Sequence, residues 1–108
     1  MAITTVINTV NLTTVANVYF DGKCVSHSFT MSDGTKKSVG VILPSTLTFN
    51  TQVAETMECV SGGCEYQLNN SAVWIASKAG ECFNVPAQAT FDIRVAEGMS
   101  YHYICHFA

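Results

Sequence analysis

The side chains that could bind a metal or carry redox chemistry lack the spacing that such sites require. The cysteines are odd in number, and none of them forms the C-x2-C pair that zinc and dithiol sites use. Burial in the core is the ordinary fate of free thiols, so we expect the cysteines to be reduced and structural. They are Cys24, Cys59, Cys64, Cys82 and Cys105.

The dipeptide Gly62-Gly63 predicts a hairpin that decides which side chains point into the core. Gly-Gly suits a two-residue turn because positive φ is needed there. In such a hairpin Ser61 pairs with Cys64, and residues two positions apart share its face. The predicted inward face is Met57, Cys59, Ser61, Cys64, Tyr66 and Leu68. A phenol in a core needs a hydrogen-bond partner or a ligand, which makes Tyr66 a candidate binding residue.

Short strands and turns alternate from Tyr19 onward, and no helix-period stretch of convincing length interrupts them. Many short strands at even spacing indicate a sandwich or a barrel, and a chain of 108 residues suits one domain. The predicted strands cover residues 24–31, 37–43, 46–51, 57–61, 64–68, 72–75, 82–85, 91–96 and 100–107.

Residues 1–18 form an uncharged N-terminal extension to the barrel domain, residues 19–108. Its β-branched side chains favour an extended segment that packs across the main domain or across a partner. No apolar run approaches the roughly 20 residues that span a bilayer. The first charged residue is Asp21, so no basic segment typical of a signal peptide precedes an apolar run. We expect a cytoplasmic protein without a membrane partner.

Charge and hydropathy bound the other partners. The formal net charge is −3 with only five basic residues, so a nucleic-acid partner, which needs a basic patch, is not expected. Hydrophobic residues make up 48% of the chain and charged residues 12%. Few charges are therefore available to keep open strand edges from pairing with another chain. We therefore expect a homodimer, the commonest symmetric assembly of soluble chains.

Two stretches resemble the motifs of the cupin superfamily. Residues 80–91 resemble G-x5-P-x-G-x2-H, with Gln88 at the second glycine and Phe91 at the histidine. Glu55 followed by Gly62 resembles the end of H-x-H-x3-E-x6-G, whose two histidine positions hold Phe49 and Thr51. The resemblance implies an all-β cupin-type jelly-roll barrel, also called a double-stranded β-helix.

Three of the four metal-ligand positions of a cupin are thus Phe49, Thr51 and Phe91, and only Glu55 could bind a metal. A transition-metal site needs about three or four protein ligands, so we expect neither a metal nor another cofactor. The histidines lie outside both motifs, at His27, His102 and His106.

Six further blocks, in the same order and with matching spacing over about residues 17–107, resemble the small cupin-like pyrimidine/purine nucleoside phosphorylases of bacteria. The resemblance implies that a nucleoside and inorganic phosphate give a free base and ribose 1-phosphate, with broad tolerance among bases. The blocks are Tyr19-Phe20-Asp21-Gly22-Lys23, Ser38-Val39-Gly40-Val41, Thr48-Phe49-Asn50-Thr51, Glu55-Thr56-Met57, Val60-Ser61-Gly62 and Phe83-Asn84-Val85-Pro86.

That activity would give Glu55 the catalytic role, since an inward carboxylate binds ribose hydroxyls and stabilises positive charge on the sugar. Phe49 and Phe91 would stack on the base without choosing among bases, unless they only fill the core. A Glu55 bonded to backbone at a strand end is the structural alternative. Neutral donors for phosphate or base oxygens would be Thr51, Ser61 and Tyr66, each of which could equally be a core hydroxyl.

The phosphate ligands are the least defined part of this site. Arg94 lies on the opposite strand face from Phe91, so it points outward, where it could serve a neighbouring subunit or pair with Asp92 or Glu97. Lys23 is the other cation considered for phosphate, or else a surface residue. Two other functions stay open: a metal-free cupin that binds a small ligand without turnover, and a structural dimerisation domain with a filled barrel.

Overall fold

The computed structural model describes residues 3–69 and 71–108, and within these residues the regular elements are strands and one 3-10 turn. Met1 and Ala2 of the predicted extension, and Asn70, lie outside the described residues. The strands are β1 (Val10–Leu12), β2 (Asn17–Tyr19), β3 (Cys24–Met31), β4 (Lys36–Ile42), β5 (Ser45–Asn50), β6 (Glu55–Leu68), β7 (Ile75–Lys78), β8 (Cys82–Val85), β9 (Thr90–Val95) and β10 (Tyr101–Phe107), and the 3-10 turn is Phe20–Gly22.

The strands pair in the order β1-β3-β4-β10-β6-β9-β5, with β2 beside β3 and with β7 and β8 beside β6. Strand β6 is 14 residues long and belongs to both sides of the barrel. Its first half pairs with β10 and β8, and its second half pairs with β9 and β7. The antiparallel sheet therefore curls on itself, which confirms the all-β barrel of cupin type.

The hairpin predicted at Gly62-Gly63 is wrong, because β6 runs through both glycines without turning. Just before the glycines, Tyr103 pairs with Cys59 and His102 with Ser61, so Val60 is an extra residue in the ladder with β10. Gly62 has φ of 72°, and a Cβ there would collide with the carbonyl oxygen of Ser100. The positive φ at Gly62 thus lies within a continuous strand, two residues after a β-bulge, which bends a strand without ending it.

The bulge also changes which side chains of β6 face inward. Met57, Cys59 and Cys64 are buried, as the hairpin predicted, and Tyr66 is half-buried. Ser61 is exposed, so its predicted inward orientation is wrong. The extra residue explains the difference, since one inserted position reverses the alternation of faces on one side of it.

The core lies between the two sides of the curled sheet. Phe91, Ile93 and Val95 alternate inward along β9, and Asp92 and Arg94 are less buried on its other face, as predicted. Every cysteine is a free thiol, and Cys82 alone is exposed, which corrects the expectation that all are buried. Burial raises the pKa of the Cys64 thiol to about 12, so it is protonated near neutral pH.

The described part of the N-terminal extension packs on the main domain. Strand β1 pairs with one end of β3, through Val10 and Met31, and β2 pairs with the other end, through Asn17 and Ser26. The extension therefore adds to the free edge of the sheet, where backbone groups would otherwise lack partners. Among the described residues, the structure contains no helix with the length and apolar character needed to cross a membrane.

Candidate active site

A cavity of about 400 Å³ opens between the inner faces of the two sides of the barrel. One wall is aromatic, with Phe20, Phe49 and Phe91 among its residues. The facing wall, which we call the polar wall, carries three hydroxyl side chains from β3, β4 and β10 among apolar ones: Ser26, Ser38 and Tyr103. Among the described residues that line the cavity, Glu55 is the only one with a charged side chain.

Glu55 is placed by the start of β6, where it pairs with Val85 of β8 on one side and Phe107 of β10 on the other. Burial raises the pKa of its carboxyl above the ordinary glutamate value, and a hydrogen bond with the Cys105 thiol opposes that rise. A carboxylate that is short of water attracts positive charge more strongly than an exposed one. Glu55 can therefore stabilise a cationic sugar in this cavity.

The aromatic wall is built by the pairing of β5 with β9. Phe49 and Phe91 are direct partners in that ladder, and their rings stack with centroids 5.3 Å apart and planes at 22°. Phe20 meets Phe49 edge-to-face, with centroids 5.4 Å apart and planes at 79°. Phe91 is buried behind Phe49, which is half-buried and closer to solvent. Flat apolar rings at this wall suit a heteroaromatic base.

The polar wall depends on a glycine of β4. A Cβ at Gly40 would lie 2.7 Å from the Tyr103 hydroxyl and 2.7 Å from the Val25 carbonyl oxygen, so only glycine lets the Tyr103 ring cross that strand. The Tyr103 hydroxyl lies 3.6 Å from the Cys24 sulfur. Burial raises the pKa of this phenol, and the neighbouring Ser26 hydroxyl opposes that rise. The wall thus presents neutral hydroxyl groups.

Thr51, a candidate substrate ligand, does not line the cavity. Its hydroxyl donates a hydrogen bond to the carbonyl oxygen of Pro86 at 2.6 Å and accepts one from the Ala89 amide at 3.0 Å. The side chain is buried, and it ties the end of β5 to the segment before β9. The Thr51 hydroxyl, from one of the two segments that resemble the cupin motifs, thus bonds the backbone of the other, residues 80–91.

Ser61 and Tyr66 also lie away from the cavity. Ser61 is exposed at the bulge of β6, and its carbonyl oxygen accepts a hydrogen bond from the Cys59 thiol at 3.5 Å. The Tyr66 ring stacks on Phe83 with centroids 3.7 Å apart and planes at 9°. Of the candidate site residues, the structure brings Glu55, Phe49 and Phe91 together around one cavity and places the others elsewhere.

The two candidate phosphate ligands have different surroundings. The Arg94 guanidinium lies 2.8 Å from the Glu65 carboxylate and 4.1 Å from the centroid of the Trp74 ring. Its partner is therefore neither Asp92 nor Glu97, the carboxylates considered for it. Lys23 is exposed and does not line the cavity. It follows the 3-10 turn and directly precedes Cys24, whose side chain does line the cavity.

The histidines contribute to surface contacts. His106 lies between the Lys37 ammonium, 2.6 Å from its Nδ1, and the Glu58 carboxylate, 2.9 Å from its Nε2. An ammonium can only donate, so Nδ1 accepts and Nε2 carries the hydrogen that Glu58 accepts. In the part of the chain that the structure describes, no three histidine, cysteine or acidic side chains are grouped to hold a metal ion.

The comparisons with known proteins agree with this architecture. A family model of pyrimidine/purine nucleoside phosphorylases matches residues 14–107. The chain belongs to this family. It is 67% identical over 106 residues to a pyrimidine/purine nucleoside phosphorylase of a Polaromonas species, which covers 97% of this chain and 98% of that relative. It is 68% identical over 99 residues to another from Ralstonia pickettii, with 92% of each covered.

A solved structure has the same fold. The crystal structure of a protein of unknown function from an Acinetobacter species superposes with a TM-score of 0.90 and 40% sequence identity, and the match covers 94% of this chain and 97% of that one. The related chain therefore has the same curled antiparallel sheet over nearly its full length.

Several lining residues of this phosphorylase family member were not predicted from the sequence. Alternation along β10 places Tyr103, Cys105 and Phe107 on one face, and that period was visible in the sequence. Ser26 of β3 and Ser38 of β4 are ordinary strand residues whose inward direction depends on the register. Phe20 gave no signal of its own, because its direction comes from an unusual backbone turn.

Proposed function

We propose that this chain is a nucleoside phosphorylase that cleaves purine and pyrimidine nucleosides with inorganic phosphate and works without a metal or another cofactor. The observation that carries the proposal is Glu55, the one charged side chain among the described residues around a cavity that has an aromatic wall and a hydroxyl wall. Membership of the pyrimidine/purine nucleoside phosphorylase family supports the same reaction.

The reaction asks for little beyond positioning and electrostatic stabilisation. The C1′–N bond of the nucleoside breaks, and its electron pair leaves with the base. A phosphate oxygen forms a new bond to C1′, and the base takes up the proton that the phosphate loses. The Glu55 carboxylate accepts hydrogen bonds from the ribose and stabilises the positive charge that develops on the sugar ring.

The two walls divide the remaining tasks. Phe49 is positioned to contact the base, with Phe91 supporting it from behind. Stacking on an aromatic ring works for every base, because every base has a π-face, and this gives broad tolerance. Ser26, Ser38 and Tyr103 supply neutral donors toward phosphate and ribose oxygens. We assign Lys23, close in sequence to the lining residues, as the cation that assists phosphate binding.

We extend the proposal to a homodimer in the cytoplasm. Free thiols at all of the cysteine positions suit a reducing compartment. Val6, Leu12, Val15 and Val18 of the extension are exposed, and a partner subunit would cover them.

The experiment that tests the activity follows free base and ribose 1-phosphate from uridine and from inosine, with and without phosphate. We expect both products only when phosphate is present. Binding without turnover would support the ligand-binding module instead, and no ligand effect on the melting temperature would support a filled dimerisation domain. A Glu55→Gln variant should lose at least an order of magnitude in rate, whereas Glu97→Gln, an exposed carboxylate change, should keep the wild-type rate.

A further inference from the structure

The turn that leads into β3 has an unusual backbone. Phe20, Asp21 and Gly22 all have positive φ, at 53°, 55° and 86°. Glycine adopts this left-handed conformation freely, but a bulky L-residue such as phenylalanine pays a steric penalty there and is rarely found in it. Strained residues of this kind persist where the surrounding structure or a function requires the orientation that they give.

The strain has one evident result, the direction of the Phe20 side chain. Its ring lines the cavity and packs edge-to-face on Phe49, although the residue is 44% exposed. Lys23 donates its amide hydrogen to the Phe20 carbonyl at 3.1 Å, which closes the turn. Asp21 tolerates this conformation, but Phe20 does not, and a single half-exposed aromatic contact compensates little for its strain. The position therefore indicates a contact that forms only when a ligand is bound.

We propose that Phe20 is a base-contacting residue, which lies over the mouth of the cavity and stacks on the nucleobase of a bound nucleoside. This inference rests on the proposed phosphorylase function and adds a specificity-determining residue to it. Phe20 carries no group that hydrogen bonds to base edges, so its contact distinguishes bases by the size of the ring face and not by their polar edges. It holds a purine more tightly than a pyrimidine while accepting both.

Phe20 is tested by substitutions that change the ring and leave the backbone. Phe20→Leu keeps an apolar side chain without a π-face, and Phe20→Tyr keeps the ring. We expect Phe20→Leu to raise KM for inosine roughly tenfold, uridine less, and phosphate not at all, with Phe20→Tyr close to the wild type. Equal changes for inosine, uridine and phosphate, or none, would overturn the assignment.

The turn itself is tested by a matched pair of glycine variants. Gly22 and Gly98 have φ of 86° and 78°, and a Cβ at either would have nothing within 4 Å. Alanine at both positions therefore meets the same backbone penalty without a clash. We expect similar losses of melting temperature, with a raised KM for nucleosides only in Gly22→Ala. Identical kinetics in the two variants would show that the turn does not position Phe20 for the base.

Direct binding separates this inference from the function on which it rests. Calorimetric titration with inosine, without phosphate, measures base contact in the absence of turnover. Wild-type protein that cleaves neither inosine nor uridine in the presence of phosphate would refute the phosphorylase itself. Wild-type turnover with unchanged inosine affinity in Phe20→Leu would refute only the role of Phe20.

Discussion

The Thr51 hydroxyl donates a hydrogen bond to the Pro86 carbonyl oxygen at 2.6 Å, and so joins the two segments that hold the metal ligands in cupins. The same oxygen accepts the Ala89 amide hydrogen at 3.0 Å. Thr51 aligns with a histidine of the cupin motif that the sequence resembles, yet here its side chain connects two backbone segments. It does so with one hydroxyl and two backbone groups.

We expect Thr51→Val to reduce stability while leaving catalysis intact. Valine keeps the shape of the side chain but removes the partner of the half-buried Ala89 amide, which costs on the order of 1 kcal/mol. Thr46→Val, at an exposed position of β5, the strand that ends just before Thr51, should change stability by less than about 0.5 kcal/mol. Denaturant unfolding measures both. Unchanged stability with a raised KM for phosphate or nucleoside would make Thr51 a substrate ligand after all.

Glu55 should lower the free energy of unfolding at neutral pH, because burial raises the pKa of its carboxyl. A raised folded-state pKa means that the native state binds the proton more tightly than the unfolded state. The resulting stability is present below the unfolded-state pKa, about 4.3, and is lost as pH rises through the folded-state value. We therefore expect Glu55→Gln to be more stable than wild type at pH 7 and equal to it near pH 3.

The same shift predicts the pH dependence of the reaction, if the ionised Glu55 carboxyl is the active form. The acidic limb of the profile of kcat/KM should then lie above the ordinary range of a glutamate. The Cys105 thiol forms a hydrogen bond that lowers the Glu55 pKa, so Cys105→Ala should raise that pKa. The acidic limb of kcat/KM and the pH dependence of stability should then shift to higher pH together. A limb unmoved by either variant would assign the titration to another group.

Alternation predicted the parts of this molecule that depend on a two-residue period. The inward face of β9 and the outward direction of Arg94 follow from it. The long β6 was not predicted, because a Gly-Gly dipeptide is compatible both with a turn and with a bent, continuous strand. What separates them is the Ser100 carbonyl oxygen, which crowds Gly62 and comes from a distant segment.

The sequence predicted the part of the site that the cupin-like motif positions supply. It did not predict the rest of the cavity lining. Glu55, Phe49 and Phe91 share the cavity because their strands meet there. The facing wall depends on the register of β3 with β4 and β10, a long-range pairing that one sequence does not reveal. The direction of the Phe20 ring depends on consecutive positive φ values, and a phenylalanine in the sequence does not predict a positive φ.

The two candidate phosphate ligands should behave differently when their charge is removed. Lys23→Met should raise KM for phosphate several-fold, because the side chain follows the turn at the cavity mouth and is free to reach an anion. Arg94→Met should leave that KM unchanged, since the guanidinium is engaged by Glu65 and Trp74. Initial rates at varied phosphate and saturating uridine measure both. A larger effect from Arg94 would place the phosphate at the other side of the barrel.

Activity should not require a metal ion. Phe49 and Phe91, which align with histidines of the cupin motifs, pack on each other, and the Thr51 hydroxyl is engaged by backbone groups. A single carboxylate, Glu55, binds a transition metal too weakly to retain it. We expect full rates after prolonged treatment with a chelator and less than one metal per chain by elemental analysis. Loss of activity that zinc or manganese restores would contradict this prediction.

The N-terminal extension should be the interface of a homodimer. Strands β1 and β2 satisfy the edge of β3, yet apolar side chains of β2 and of the link between the two strands are left in solvent, with Val18 63% and Val15 77% exposed. Exposed apolar side chains of this size, close together on one edge, are typical of a surface that a second subunit covers.

Light scattering should give twice the chain mass for the wild type. Aspartate at both valines should give monomers, because a closed interface cannot accept unpaired charges. Val73→Asp provides a control at matched exposure, 62%, on the connection before β7, and should stay dimeric. If Phe20 and Lys23 act within one subunit, the monomeric variant keeps its rate per chain. A wild-type protein that is monomeric at full specific activity would remove the interface from the function of this chain.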